Sequence, residues 1–229
     1  MAIAAVLFDL YGTLAPGGTK ELRDAVSREV AADLDVDVDR FAEAVRESFP
    51  GRTLGQTGSL DETLRTLAAD LGGAPDSVAV GRAVERRVEM TRSLIDSTWA
   101  LDVLDELRHR GLPLGLVSDC SVETALVWDT TALSARFDAH AFSCEHGVKK
   151  PDPRLYRVVT QALGVDPAEC LYVGDGGSSE LPGAAALGMR AVWLDHPGNQ
   201  GGTNGVSWDG ETIGELGGIL PLLAPATTR

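Results

Sequence analysis

The stretch IAAVLFDLYGTL, Ile3 to Leu14, decides how the rest of the chain is read. Ile3 to Phe8 is apolar without alternation, as in a strand buried on both faces. The run ends on a carboxylate, Asp9, and the chain turns through Gly12. Three more runs of the same kind follow: Pro113 to Val117, Cys170 to Val173 and Ala191 to Leu194. Helical patterns lie between them. Ser97 to Arg110 stops at Gly111, Pro153 to Leu163 stops at Gly164, and Glu180 to Leu187 stops at Gly188. Helices that alternate with buried strands predict an α/β fold: a doubly wound, Rossmann-like parallel sheet with helices on both faces.

The segment from Gly17 to Asp96 departs from this alternation. It holds helical periodicity over Leu22 to Leu34, Phe41 to Phe49, Leu60 to Leu71 and Val78 to Leu94, and no strand pattern. Ser59 followed by Glu62 forms a capping box ahead of the third of these. The expected organisation is therefore a core of residues 1–16 and 97–229, interrupted by an all-helical insertion over 17–96. Pro16-Gly17-Gly18 and Asp96-Ser97 read as hinges. His196 to Gly205, HPGNQGGTNG, reads as a surface loop.

The chain has 229 residues, 44% of them hydrophobic, and a formal charge of −14. That charge repels phosphate backbones and anionic lipid, so neither nucleic acid nor membrane is expected as a partner. The three cysteines are widely spaced, with no CxxC, and suggest neither a disulfide framework nor a zinc site. The N-terminal apolar run lacks a basic leader and is broken by Asp9, so it reads as a core strand and not a secretion signal. A cytoplasmic protein, monomeric or homodimeric, is the expectation.

In an open parallel sheet, ligands bind where the strands end. The first run ends on Asp9, the second on Ser118-Asp119, and LYVGDGG ends on Asp175. Lys150 stands just before Pro151-Asp152-Pro153 at a helix start. Taken singly, each has a plainer reading: either aspartate as a cap or turn residue, Ser118 as a cap, Lys150 as a surface lysine. The topology would nevertheless bring all four to one rim. Two carboxylates there repel by several kcal/mol at low dielectric. A divalent cation between them removes that cost, and oxygen ligands suit magnesium.

The ordered set FDLYGTL (8–14), LVSDCS (116–121), GVKKPDPRLY (147–156) and VGDGGSSELPGA (173–184) resembles the four motifs of the haloacid dehalogenase superfamily of aspartyl-nucleophile hydrolases. The helical insertion is similar to the mobile cap that follows motif one in that family. The resemblance implies Asp9 as nucleophile and Lys150 as the cation that neutralises it and the substrate. It implies Thr13 and Ser118 as hydrogen-bonding groups for the transferring group. Mg²⁺ would be held by Asp9, the backbone carbonyl of Tyr11, Asp175 and Glu180. Most such enzymes carry a second aspartate two residues after the first, as general acid and base; here Tyr11 stands there. A phenol can serve as the acid, less readily as the base. A Tyr at this place also resembles the L-2-haloacid dehalogenases, which protonate no leaving group. Those have an asparagine where this chain has Asp119, and a metal-free fourth motif where this chain has an acidic one.

The expectation is an Mg²⁺-dependent phosphatase of a small anionic substrate, a phosphate ester. A metal-independent 2-haloacid dehalogenase and a catalytically silent, ligand- or protein-binding relative are the alternatives. Glu180 reads either as the second acid of the fourth motif, displaced by one residue from Ser179, or as a first-turn helix charge. Arg52 reads as a solvated loop arginine, Lys149 as a surface lysine, and His146 and His196 as loop histidines. Trp99, Trp128, Trp193 and Tyr156 read as packing residues.

Overall fold

The computed structural model describes residues 3–196 and 208–223. Of the predicted loop 196–205, only His196 lies within the described residues. Six parallel strands form one sheet: β1 (Ala5–Phe8), β2 (Leu114–Ser118), β3 (Ala139–Phe142), β4 (Cys170–Gly174), β5 (Arg190–Leu194) and β6 (Glu211–Ile213), in the order β3-β2-β1-β4-β5-β6. This is the doubly wound order, and its direction reverses between β1 and β4.

The strands lack alternation because both faces are covered. On β1, Val6 and Phe8 join one apolar cluster while Ala5 and Leu7 join the other. On β4, Leu171 and Val173 face the first cluster, Cys170 and Tyr172 the second. Two strands escaped the sequence reading. β3 is AHAF, with an exposed histidine at its centre and no apolar run. β6 is a three-residue, largely exposed edge strand.

The helices in chain order are α1 (Lys20–Asp33), α2 (Val38–Glu47), α3 (Phe49–Arg52), α4 (Leu60–Asp70), α5 (Ser77–Asp96), α6 (Leu101–His109), α7 (Val122–Trp128), α8 (Ser143–His146), α9 (Pro153–Leu163), α10 (Glu180–Ala186) and α11 (Ile219–Leu222). The helix predicted from Ser97 begins instead at Leu101, since Ser97 caps the end of α5. Ser59 and Glu62 make both bonds of the capping box at α4. Gly164 ends α9 in the left-handed conformation, φ 68°, which a Cβ would oppose. Helices α1, α2, α4 and α5 surround their own apolar cluster of Val30, Leu34, Phe41, Leu64 and Val80. No helix among the described residues is long and apolar enough to cross a membrane.

Candidate active site

Asp9 follows β1 directly, and its N–H donates to the Val173 carbonyl on β4 at 3.0 Å. Asp175 lies just past the end of β4. The two carboxylates therefore flank the reversal point of the sheet. Lys150 comes from the turn before α9 and is 3% exposed. Its Nζ lies 2.5 Å from Asp9 Oδ1 and 2.5 Å from Glu180 Oε2. The plainer reading of Lys150 as a surface lysine is thus corrected, whereas Lys149 is exposed.

Glu180 stands at a helix start, as one of the two descriptions left open by the sequence has it, but it is not an exposed first-turn charge. It opens α10 and is fully buried in the cluster. Its Oε1 accepts from the Gly176 N–H at 3.0 Å, and its Oε2 accepts from the Tyr172 hydroxyl at 2.8 Å. The loop between Asp175 and Glu180 winds tightly to make this possible. Gly176, Ser178 and Ser179 all take left-handed φ values of 89°, 52° and 53°. Two serines in that region represent local strain, held by the surrounding bonds. Ser179, at the alternative spacing, is exposed.

Oxygens of Asp9, Asp175 and Glu180 lie within 4.8 Å of one another. Asp9 and Glu180 are buried and share the Lys150 ammonium, and Asp175 is partly exposed beside them. Burial, partly opposed by Lys150, pushes the Asp9 carboxyl up to about 6. The same causes in the same order push Glu180 up to about 8. Lys150 rises well above its ordinary value, since the attraction of Asp9 and Glu180 outweighs the burial that opposes it. The donor set, all hard oxygen with a net negative charge, fits a divalent cation such as magnesium.

Thr13 is buried, and its hydroxyl donates to Asp9 Oδ2 at 3.3 Å. The Ser118 hydroxyl is buried without a hydrogen-bond partner, at the end of β2. Asp119 Oδ1 accepts from the Lys150 N–H at 2.9 Å, while its Oδ2 is buried and unpartnered. The Tyr11 hydroxyl pairs with Thr124 Oγ1 on α7 at 2.9 Å, and burial pushes it far above the ordinary phenol value. The raised value makes this phenol less ready to give up its proton than a free one.

A cavity of about 620 Å³ lies between the helical insertion and the segment after β2. Its wall includes Tyr11, Arg52, Arg87, Asp119, Glu123 and Thr124, but not Asp9. Arg52 is 7% exposed and sits on α3, which corrects its reading as a solvated loop residue. Arg52 and Arg87 share Glu123 Oε1 across the gap between insertion and core, at 3.4 and 2.6 Å.

The sequence reading missed Glu123, Arg87 and Tyr172; the only visible signal was a tyrosine inside an otherwise aliphatic strand. Two of the presumed packing tryptophans have further roles. Trp193 Nε1 donates to the Asp175 carbonyl at 2.9 Å, and Trp99 Nε1 to the Thr13 carbonyl at 3.1 Å. Tyr156 is buried as expected, and its hydroxyl donates to the Glu180 carbonyl at 2.9 Å. His196 stacks on Trp99 with ring centroids 5.4 Å apart, so it is not a partnerless loop residue.

The sequence profile of haloacid dehalogenase-like hydrolases matches residues 3–188. A phosphoserine phosphatase of Thermus thermophilus is 34% identical over 139 residues, 59% of this chain and 54% of the relative. A phosphatase of Mycobacterium tuberculosis is 28% identical over 98% of this chain and 100% of its own length. Among solved structures, a phosphatase of the same family from Thermococcus onnurineus superposes with a TM-score of 0.60 at 26% identity, covering 94% of each chain.

Proposed function

The chain belongs to the haloacid dehalogenase-like hydrolase family, and on that premise we propose that it is a Mg²⁺-dependent phosphatase of a small phosphate ester, with Asp9 as nucleophile. The observation that carries this reading is the convergence of the Asp9, Asp175 and Glu180 carboxylates, with Lys150 bound to Asp9 and Glu180. A dehalogenase has no need of three carboxylates at one point. A phosphatase needs that charge to hold a cation against a dianionic substrate.

In this reading Asp9, Asp175, Glu180 and the Tyr11 carbonyl hold the ion. When bound, Mg²⁺ withdraws charge from the phosphoryl oxygens and keeps the three carboxylates ionised. The chain's own residues do the rest. Lys150 fixes Asp9 Oδ1, and Thr13 fixes Oδ2. The Ser118 hydroxyl, buried without a partner, is a ready donor for a phosphoryl oxygen. Asp9 attacks phosphorus, the ester bond breaks, and an aspartyl phosphate forms; water then cleaves it. The segment 17–96 serves as a cap, and the cavity beneath it receives the leaving group.

The test is release of inorganic phosphate from a panel of small phosphate esters, with Mg²⁺ and with chelator. Release that needs Mg²⁺ and vanishes in Asp9→Asn supports the proposal. Halide release from 2-chloropropionate, indifferent to chelator, would replace it with the dehalogenase reading. Neither activity, despite beryllofluoride trapped at the site, would leave a silent relative.

A further inference from the structure

Tyr11 leaves the proposed reaction without a proton carrier. Alkoxide leaves phosphorus poorly unless protonated, and water attacks the aspartyl phosphate poorly unless deprotonated. A group that meets both needs must sit beside the transferring phosphoryl, on the side of the leaving group. It must also be free to gain and lose a proton.

Three carboxylates line the cavity: Asp24, Glu123 and Asp119. Asp24 lies on α1 and pairs with Lys20 and Arg46. Glu123 is buried; burial would raise its carboxyl, but Arg87 and Arg52 overcome this and hold it down at about 2. A carboxyl held there carries no proton near neutrality. Two other wall residues are excluded by burial: the Tyr11 phenol and the Cys120 thiol are both pushed well above their ordinary values.

Asp119 remains. It follows Ser118, the last residue of β2, in the chain, and it lines the cavity. Its Oδ1 is fixed by the N–H of Lys150, the residue whose Nζ grips Asp9. Its Oδ2 is buried with no partner, in a side chain that faces the cavity. One oxygen is anchored and the other is unused.

We propose that Asp119 is the general acid and base of this enzyme, a role displaced from residue 11 to the residue after the motif-two serine. This rests on the phosphatase reading above. In the first step the P–O(ester) bond breaks as the P–O(Asp9) bond forms, and the Asp119 carboxyl gives its proton to the leaving oxygen. In the second step the Asp119 carboxylate takes a proton from water as the water oxygen bonds phosphorus. The P–O(Asp9) bond breaks, phosphate departs, and both residues return to their starting states.

The test is Asp119→Asn, which retains an oxygen for the Lys150 N–H and removes the proton carrier. With an alkyl ester such as glycerol phosphate, kcat/KM should fall by about 10²–10⁴-fold. With p-nitrophenyl phosphate, whose leaving group needs no proton, the first turnover should survive as a burst of nitrophenol within about threefold of wild type. Steady-state release should then be slow, because the second step still lacks its base. Adding Tyr11→Asp to Asp119→Asn should recover at least about tenfold of the alkyl-ester rate. A merely structural Asp119 would lose both substrates alike, show no burst, and gain nothing from Tyr11→Asp; that result overturns the proposal, as does an Asp119→Asn variant within threefold of wild type on the alkyl ester. A wild-type protein that releases no phosphate from any ester overturns the phosphatase reading first, and this assignment with it.

Discussion

Replacing Glu123 by Gln should weaken the junction between helical insertion and core by a calculable amount. Glu123 sits on α7 and is 1% exposed; Arg87 on α5 and Arg52 on α3 both reach its Oε1. Burial raises the carboxyl, but the two guanidinium groups outweigh it and set it at about 2 against an ordinary 4.5. At 1.36 kcal/mol per pKa unit, that depression corresponds to about 3 kcal/mol of stability. Gln keeps the shape and removes the charge, leaving two buried cations to repel each other. Urea unfolding at pH 7, followed by circular dichroism, should show a lower midpoint at unchanged m. The sign with pH follows from a folded value below the unfolded one. The contribution is complete above about pH 5 and drains away as pH falls toward 2, so wild type and variant should differ by roughly half as much near pH 3. Exchanging all three residues for apolar ones of similar volume, Arg52→Met, Arg87→Met and Glu123→Leu together, should cost far less than Glu123→Gln alone. A Glu123→Gln loss under about 0.5 kcal/mol at pH 7, or a difference that does not shrink in acid, would refute the reasoning.

Lys150→Met removes the ammonium between Asp9 and Glu180 and should abolish phosphate release while lowering stability by about 3–5 kcal/mol, as read by thermal unfolding. Gly174→Ala would put a Cβ 2.0 Å from Glu180 Oε1. It should cost about 1–3 kcal/mol in unfolding and reduce phosphate release by displacing that carboxylate. Mg²⁺ at 100 times its Kd should raise stability by about 2.7 kcal/mol. In a chain of this length that is a Tm rise of roughly 5–11 °C, to be lost in Asp175→Asn.

The sequence alone determined a great deal of this molecule. Largely apolar runs without alternation marked β1, β2, β4 and β5, because strands covered on both faces favour apolar side chains. Ser59 and Glu62 marked the start of α4, and Gly164 the end of α9, because caps are local chemistry. Asp9, Ser118 and Asp175 were visible as polar groups where apolar runs stop, Lys150 as a lysine at a helix start, and Thr13 through the family resemblance. The edge strands β3 and β6 were invisible, since partial exposure removes the demand for apolar side chains.

Tertiary structure decided what each carboxylate can do. Nothing in the spelling of residue 180 separates a helix-start charge from a buried partner of Lys150; only the left-handed turn through Gly176, Ser178 and Ser179 does. Nothing near Arg52 announces that it meets Glu123 and Arg87 from remote segments. A phenol at residue 11 is available or sequestered according to where Thr124 lies. Backbone preference is written within a few neighbouring residues, whereas the ionisation of a buried group depends on charges and solvent exclusion contributed by every segment packed around it.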